Sequence, residues 1–178
     1  MLIKVCGMKY ADNIKALSEA DIDLMGFIFY SKSERFVNEL TVSIPSHIKR
    51  TGVFVNCTVE DLLDKARSFQ LDCIQLHGDE SLEYCEELKN KGYKLIKVFR
   101  LDESFDFNET KPFEIVADYF LFDTKAKQYG GTGKKFNWTI LQNYKGDVPF
   151  LLSGGIGPED HEAVTTFQHK SFAGIDVN

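Results

Sequence analysis

Short apolar runs recur along this chain at intervals of roughly 22–30 residues: Leu2–Cys6, Leu24–Phe29, Gly52–Val55, Cys73–His77, Lys94–Phe99, Tyr119–Asp123, Pro149–Ser153 and Phe172–Val177. Their length and aromatic and branched content predict strands. Between most of them the apolar residues move to helical spacing. Asp12 is placed to cap a helix carrying Ile14, Leu17 and Ala20. Thr58 opens a helix with Leu62, Leu63, Ala66 and Phe69 on one face, and 79–91 carries Leu82, Cys85 and Leu88 before Gly92 stops it. Pro158, one residue past Gly157, suits the first position of another helix. Segments 38–48 and 104–115 carry weaker helical patterns.

Strand–helix alternation predicts an α/β protein with a parallel sheet covered by helices. Eight repeats favour closure into a (β/α)8 TIM barrel over an open doubly wound sheet. The expected domain is a single barrel over 1–178, C-terminally incomplete, because Asn178 falls at the end of the eighth run and the closing helix is missing. Such barrels run to about 200 residues or more. One flank is therefore expected to expose apolar surface.

The net charge of −6, with no basic run, argues against a nucleic-acid partner. No stretch is apolar for long enough to span a bilayer, and the chain enters its first strand without a signal peptide. Cys6, Cys57, Cys73 and Cys85 show no CxxC spacing, which reads as reduced thiols in a cytoplasmic protein. No GxGxxG follows the first strand, so nothing calls for a dinucleotide cofactor.

The candidate chemistry sits at strand ends. Cys6 closes the first run and Asp123 the sixth, a thiol and a carboxylate suited to acid–base work in a shared mouth. Alternation puts Lys4, Cys6, Gln75, His77, Lys97, Asp123 and Asp176 on one inward-facing parity, a polar set that must be paired inside. Lysine–aspartate pairing is the purely structural reading of part of it. Lys4, one inward position below Cys6, is expected to help depress the thiol pKa, and a water-poor pocket to raise that of Asp123. Ser153-Gly154-Gly155-Ile156-Gly157 follows the seventh run and opens a helix, where bare amides can hold a phosphate. The loop from Tyr129 to Lys134, Gly-Gly-Thr-Gly at its centre, is a lid candidate or a simple surface loop.

Taken in order, Lys4-Val5-Cys6-Gly7-Met8, Gly26-Phe27-Ile28-Phe29-Tyr30, Ser31-Lys32-Ser33-Glu34-Arg35, Gly52-Val53-Phe54-Val55-Asn56, Gln75-Leu76-His77-Gly78, Phe122-Asp123-Thr124, Gly130-Gly131-Thr132-Gly133-Lys134 and Leu152-Ser153-Gly154-Gly155-Ile156 resemble the phosphoribosylanthranilate isomerases of tryptophan biosynthesis. The resemblance spans essentially the whole chain. It implies a barrel with no cofactor and no metal that turns N-(5'-phosphoribosyl)anthranilate into 1-(2-carboxyphenylamino)-1-deoxyribulose 5-phosphate by an Amadori rearrangement. It implies Cys6 as general base and Asp123 as general acid. Arg35 would hold the anthranilate carboxylate and His77 would line the pocket. Gly154 and Gly155, with Asp176 and Asn178, would surround the phosphate. The implied partner is a small anionic phosphosugar–anthranilate substrate, met by a monomer or homodimer, with no nucleic acid and no membrane. Competing readings are another sugar-phosphate barrel, such as the histidine-pathway isomerase or indole-glycerol-phosphate synthase, and a non-catalytic truncated phosphate-binding barrel. The histidine-pathway isomerase would be expected to carry a carboxylate where Cys6 stands, and the synthase catalytic lysines and a longer N-terminal extension.

Overall fold

A computed structural model describes residues 1–40, 42–125 and 137–178. The glycine loop 129–134 lies outside the described residues. The strands are β1 (Leu2–Cys6), β2 (Leu24–Ile28), β3 (Lys49–Phe54), β4 (Cys73–Leu76), β5 (Lys94–Leu101), β6 (Tyr119–Thr124), β7 (Phe150–Leu152) and β8 (Phe172–Val177). Each pairs in parallel with its sequence neighbour, and β8 closes on β1 to complete a barrel.

Helices α1 (Ala11–Ser18), α2 (Val59–Phe69), α3 (Leu82–Asn90) and α4 (His161–Thr166) lie in the connections. The starts of α2 and α3 are set by hydroxyls: Thr58 accepts from the amide of Asp61 at 3.1 Å, and Ser81 from that of Tyr84 at 3.3 Å. α2 buries Leu62, Ala66 and Phe69 against the sheet, and truncating Leu62 to alanine is expected to cost about 2–5 kcal/mol. At α1 the expected cap is displaced. Tyr10 holds the N-cap position with no side-chain bond, and Asp12 lies inside the first turn, where its charge meets the exposed amides.

The two weaker helical patterns resolve differently. The described residues of 38–48 form no helix; Ile44 and Ile48 are buried in irregular backbone. Pro45 explains this, since it removes an amide donor and pushes Ile44 out of the helical region. Within 104–115 a 3-10 helix runs from Phe107 to Ile115 with Pro112 inside it. Further 3-10 turns cover Trp138–Asn143 and Pro158–Asp160.

The barrel floor is an apolar plug of Leu24, Cys73, Ile96, Val98, Leu121 and Leu151. Outside the sheet, one half of the core is mostly aliphatic, around Met25, Leu62, Ile74 and Leu88, with Phe27, Phe54 and Phe69 among them. The other half is aromatic: Phe99 meets Phe120 edge-on at 5.1 Å, and Phe122 meets Phe150 at 5.0 Å.

Lys97 departs from its expected inward position. In the β4–β5 register Gln75 faces Ile96 and Leu76 faces Lys97. Ile96 and Val98 join the interior plug, so Lys97 points outward, where its ammonium meets Glu80 at 3.0 Å. The run Lys94-Leu95-Ile96-Lys97-Val98-Phe99 is apolar on both parities, so alternation alone does not choose its face. Among the described residues no helix follows β8. Ile3 and Val5 on the outer side of β1 and Ile175 on β8 stay half-buried, while Met25 and Phe27 on β2 are fully buried.

Candidate active site

The strands deliver their C-terminal ends to one cavity of about 290 Å³. Cys6 comes from β1, Ile28 from β2, Gln75 and His77 from the end of β4, and Asp123 from β6. Ser153, Gly154 and Gly155 follow β7, and Asp176 and Asn178 close the ring from β8. Arg35 arrives from the loop after β2. All eight residues singled out in the sequence therefore line one space. In parallel barrels this end of the sheet is where sites are built.

Cys6 is 8% exposed. Lys4 lies below it, fully buried, with its ammonium 2.8 Å from a carboxylate oxygen of Asp176. Burial pulls the Lys4 pKa down, but the charges of Asp176 and Cys6 outweigh it and hold the ammonium above its ordinary value. For Cys6 the balance falls the other way. Burial pushes the thiol above its ordinary value, Lys4 and Arg35 pull it back, and Asp176 adds to the rise. Lys4 thus acts on the thiol in the expected sense, while the net position stays above the ordinary value: the cost of a buried thiolate exceeds the pull of the two cations, one of which Asp176 already neutralises.

Asp123 has two unlike oxygens. Oδ1 accepts from the amide of Thr124 at 2.8 Å, while Oδ2 lies 3.4 Å from Nε2 of His77. A proton carried by this carboxyl belongs on Oδ2, since Oδ1 makes the shorter contact, to an amide donor. On the other side of the imidazole, the Gln75 amide nitrogen lies 3.3 Å from Nδ1; with that nitrogen donating, the ring proton sits on Nε2, toward Asp123.

Arg35 is held at its backbone by Ser33, whose hydroxyl accepts from the Arg35 amide at 3.2 Å. Ser33 was not singled out as a site residue; the sign of it in the sequence is a serine two residues before an arginine, a local turn pattern. The guanidinium reaches the backbone carbonyl of Cys6 at 3.5 Å, near enough for its charge to act on the thiol.

Gly154 and Gly155 have φ of 95° and 70°. A Cβ on Gly154 would also strike the Thr124 hydroxyl and lie 2.9 Å from Asp123 Oδ1. This loop can therefore pass behind the carboxylate only as glycine. It opens onto the 3-10 turn 158–160, whose first amide, that of Gly157, already donates to Asp160 at 2.8 Å. Any anion there would rely on the glycine loop itself. Asp176 pairs with Lys4 and lies 3.5 Å from the Ser153 hydroxyl, so its carboxylate is a counter-ion to Lys4. Among the described residues no cluster of three or more His, Cys, Asp or Glu could hold a metal, and no helix is long and apolar enough to cross a membrane.

The arrangement joins a thiol near two cations, a carboxyl whose Oδ2 faces His77, an arginine and a glycine loop around one cavity. Residues 3–178 match the family model described as N-(5'phosphoribosyl)anthranilate (PRA) isomerase. The N-(5'-phosphoribosyl)anthranilate isomerase of Parabacteroides distasonis is 50% identical over 184 residues, covering 100% of this chain and 83% of that protein. The crystal structure of phosphoribosyl anthranilate isomerase from Thermotoga maritima superposes with a TM-score of 0.86 at 31% identity, covering 99% of this chain and 87% of that one. A phosphoribosyl anthranilate isomerase in complex with reduced 1-(o-carboxyphenylamino)-1-deoxyribulose 5-phosphate gives 0.82 at 29% identity, over 99% of this chain and 86% of that one. This chain belongs to the phosphoribosylanthranilate isomerase family.

Proposed function

We propose that this chain, as one barrel domain, isomerises N-(5'-phosphoribosyl)anthranilate in tryptophan biosynthesis with Cys6 as general base and Asp123 as general acid. The observation that carries the reading is the shared cavity: thiol and carboxyl come from β1 and β6 to face one space of about 290 Å³.

In the proposed course, Asp123 Oδ2 gives its proton to the ribose ring oxygen as the C1–O bond breaks, leaving an iminium at C1. The Cys6 thiolate takes the proton from C2, whose acidity the iminium raises, and the electron pair neutralises the nitrogen. The resulting enaminol ketonises, gaining a proton at C1 and losing the one on the C2 oxygen. Each proton transfer by a positioned group contributes about 10²–10⁴-fold. Arg35 matches a planar carboxylate through two parallel N–H donors and would hold the anthranilate end. Gly154 and Gly155, with Asn178, would hold the phosphate, and Asp176 would serve from behind through Lys4. Anchoring both ends positions C1 and C2 between base and acid.

The test is turnover of freshly made phosphoribosylanthranilate, followed by loss of its anthranilate fluorescence, in wild type, Cys6→Ala and Asp123→Asn. Each variant is expected to lose at least about 100-fold in kcat. Activity surviving both substitutions would sink the assignment of base and acid.

A further inference from the structure

Directly behind His77, outside the cavity, four residues form a polar latch: Gly78, Glu80 and Lys97 are buried and Asn56 closes it from the surface. Glu80 and Lys97 face each other at 3.0 Å with side chains 2% and 5% exposed. Glu80 Oε1 also accepts from the amide of Asn56 at 3.0 Å and from that of Gly78 at 3.1 Å, and Oε2 lies equally close to the Gly78 amide. Lys97 donates a second bond to the Gly78 carbonyl at 2.8 Å and sits 5.7 Å from the centre of the Phe113 ring. Asn56, whose φ of 48° is left-handed, accepts from the Asp79 amide at 2.7 Å. Both polar groups of Gly78 are therefore clamped by charged side chains, and a Cβ on Gly78 would run into Asn56 and come within 2.7 Å of Glu80 Oε1.

Buried charges are costly to keep, and none of these four lines the cavity. What they hold is the peptide immediately after His77, the residue that meets Asp123 Oδ2 at 3.4 Å. Gln75 fixes the ring from its far side. A loop residue's imidazole is free to swing unless its backbone is pinned. We propose that Glu80 and Lys97, with Asn56, are positioning residues that hold the His77 imidazole against Asp123, so that its Nε2–H stabilises the carboxylate left when the acid gives up its proton. This rests on the assignment of Asp123 as the acid. A misplacement of about 1 Å at such a contact is enough to lose about 100-fold in rate.

The experiment uses the charge-neutral pair Glu80→Gln with Lys97→Met, which leaves no lone buried charge, together with Lys97→Arg. Lys97→Arg keeps the cation but replaces an ammonium that makes two bonds at one point with a broad fork. In each, kcat and KM are measured separately, alone and in a His77→Ala background. Nitrogen NMR of the four histidine rings is recorded in parallel on the free protein. The neutral pair is expected to lower kcat at least about tenfold with KM within about threefold, to add nothing in the His77→Ala background, and to move the His77 ring signals. An unchanged kcat, or the same fold-loss with and without His77, would overturn the proposal. If the unsubstituted protein does not turn over the substrate, the functional reading itself has failed. The NMR arm still decides the latch: ring signals unmoved by the neutral pair overturn it, and displaced signals support it.

Discussion

Replacing Lys4 with methionine tests the electrostatics beneath Cys6. The ammonium is fully buried, 2.8 Å from an Asp176 carboxylate that is itself 8% exposed. Methionine has nearly the same reach and volume, so packing is largely kept and the lost quantity is the charge. Removing one member of a buried pair costs about 3–5 kcal/mol, chiefly because the other is left uncompensated. For a chain of this size, at about 2–4 °C per kcal/mol, the thermal midpoint should fall by roughly 6–20 °C. The folded pKa of Lys4 lies above its ordinary value of 10.5, so the pair's stabilisation is fully present below that pH and disappears as pH rises through the folded value. Urea denaturation at pH 7 therefore reads the whole effect. Adding Asp176→Asn removes the stranded charge and should recover most of the loss. The thiol responds separately. Without Lys4 its titration should move to higher pH, seen as a rightward shift in the pH dependence of alkylation by a thiolate-selective reagent. If Lys4→Met costs less than about 1 kcal/mol, or the double variant is no more stable than the single one, the buried pair does not matter as argued. If alkylation is unchanged, Lys4 does not act on Cys6.

Arg35→Lys keeps the charge but loses the planar fork; KM for phosphoribosylanthranilate should rise about 10-fold or more with kcat less affected, and steady-state kinetics with an equal loss in both would point to a role beyond binding. Gly154→Ala forces a side chain onto φ 95° and against Asp123, so it should destabilise by about 1–2 kcal/mol and lower kcat, whereas full activity would mean the loop has room to move. Burial pushes Cys73 and Cys85 from 9.0 to about 11. Unfolding then releases their protons above pH 9, and stability should fall by up to about 1.4 kcal/mol per pH unit for each thiol between pH 9 and 11. Urea midpoints across that range check it, and Cys73→Ala should remove part of the slope.

The barrel was legible because its signal is repetitive. Eight apolar runs and the helical spacing between them survive errors of a residue or two at each boundary. The candidate site was legible for a related reason: strand ends in a closed parallel barrel converge, so residues at the ends of Leu2–Cys6 and Tyr119–Asp123 had to approach one mouth. Helix type was less readable where proline intervened. Pro45 and Pro112 stand in the two weak helical patterns, whose described residues form irregular and turn backbone in one and a 3-10 helix in the other, because proline removes amide donors.

The sequence by itself determined the repeat, the closure it implies, and which chemical groups stand at the strand ends, because period and residue type are local properties. Only the tertiary structure decided which partner each charge meets. Lys4 and Lys97 look alike in the chain, each in a run of apolar residues. Register turns Lys4 inward to Asp176 beneath Cys6 and Lys97 outward to Glu80 behind His77. The same holds for the Cys6 thiol. Its identity is written in the sequence, but the sum of burial, two cations and one anion that sets its pKa exists only once eight strands bring those groups together.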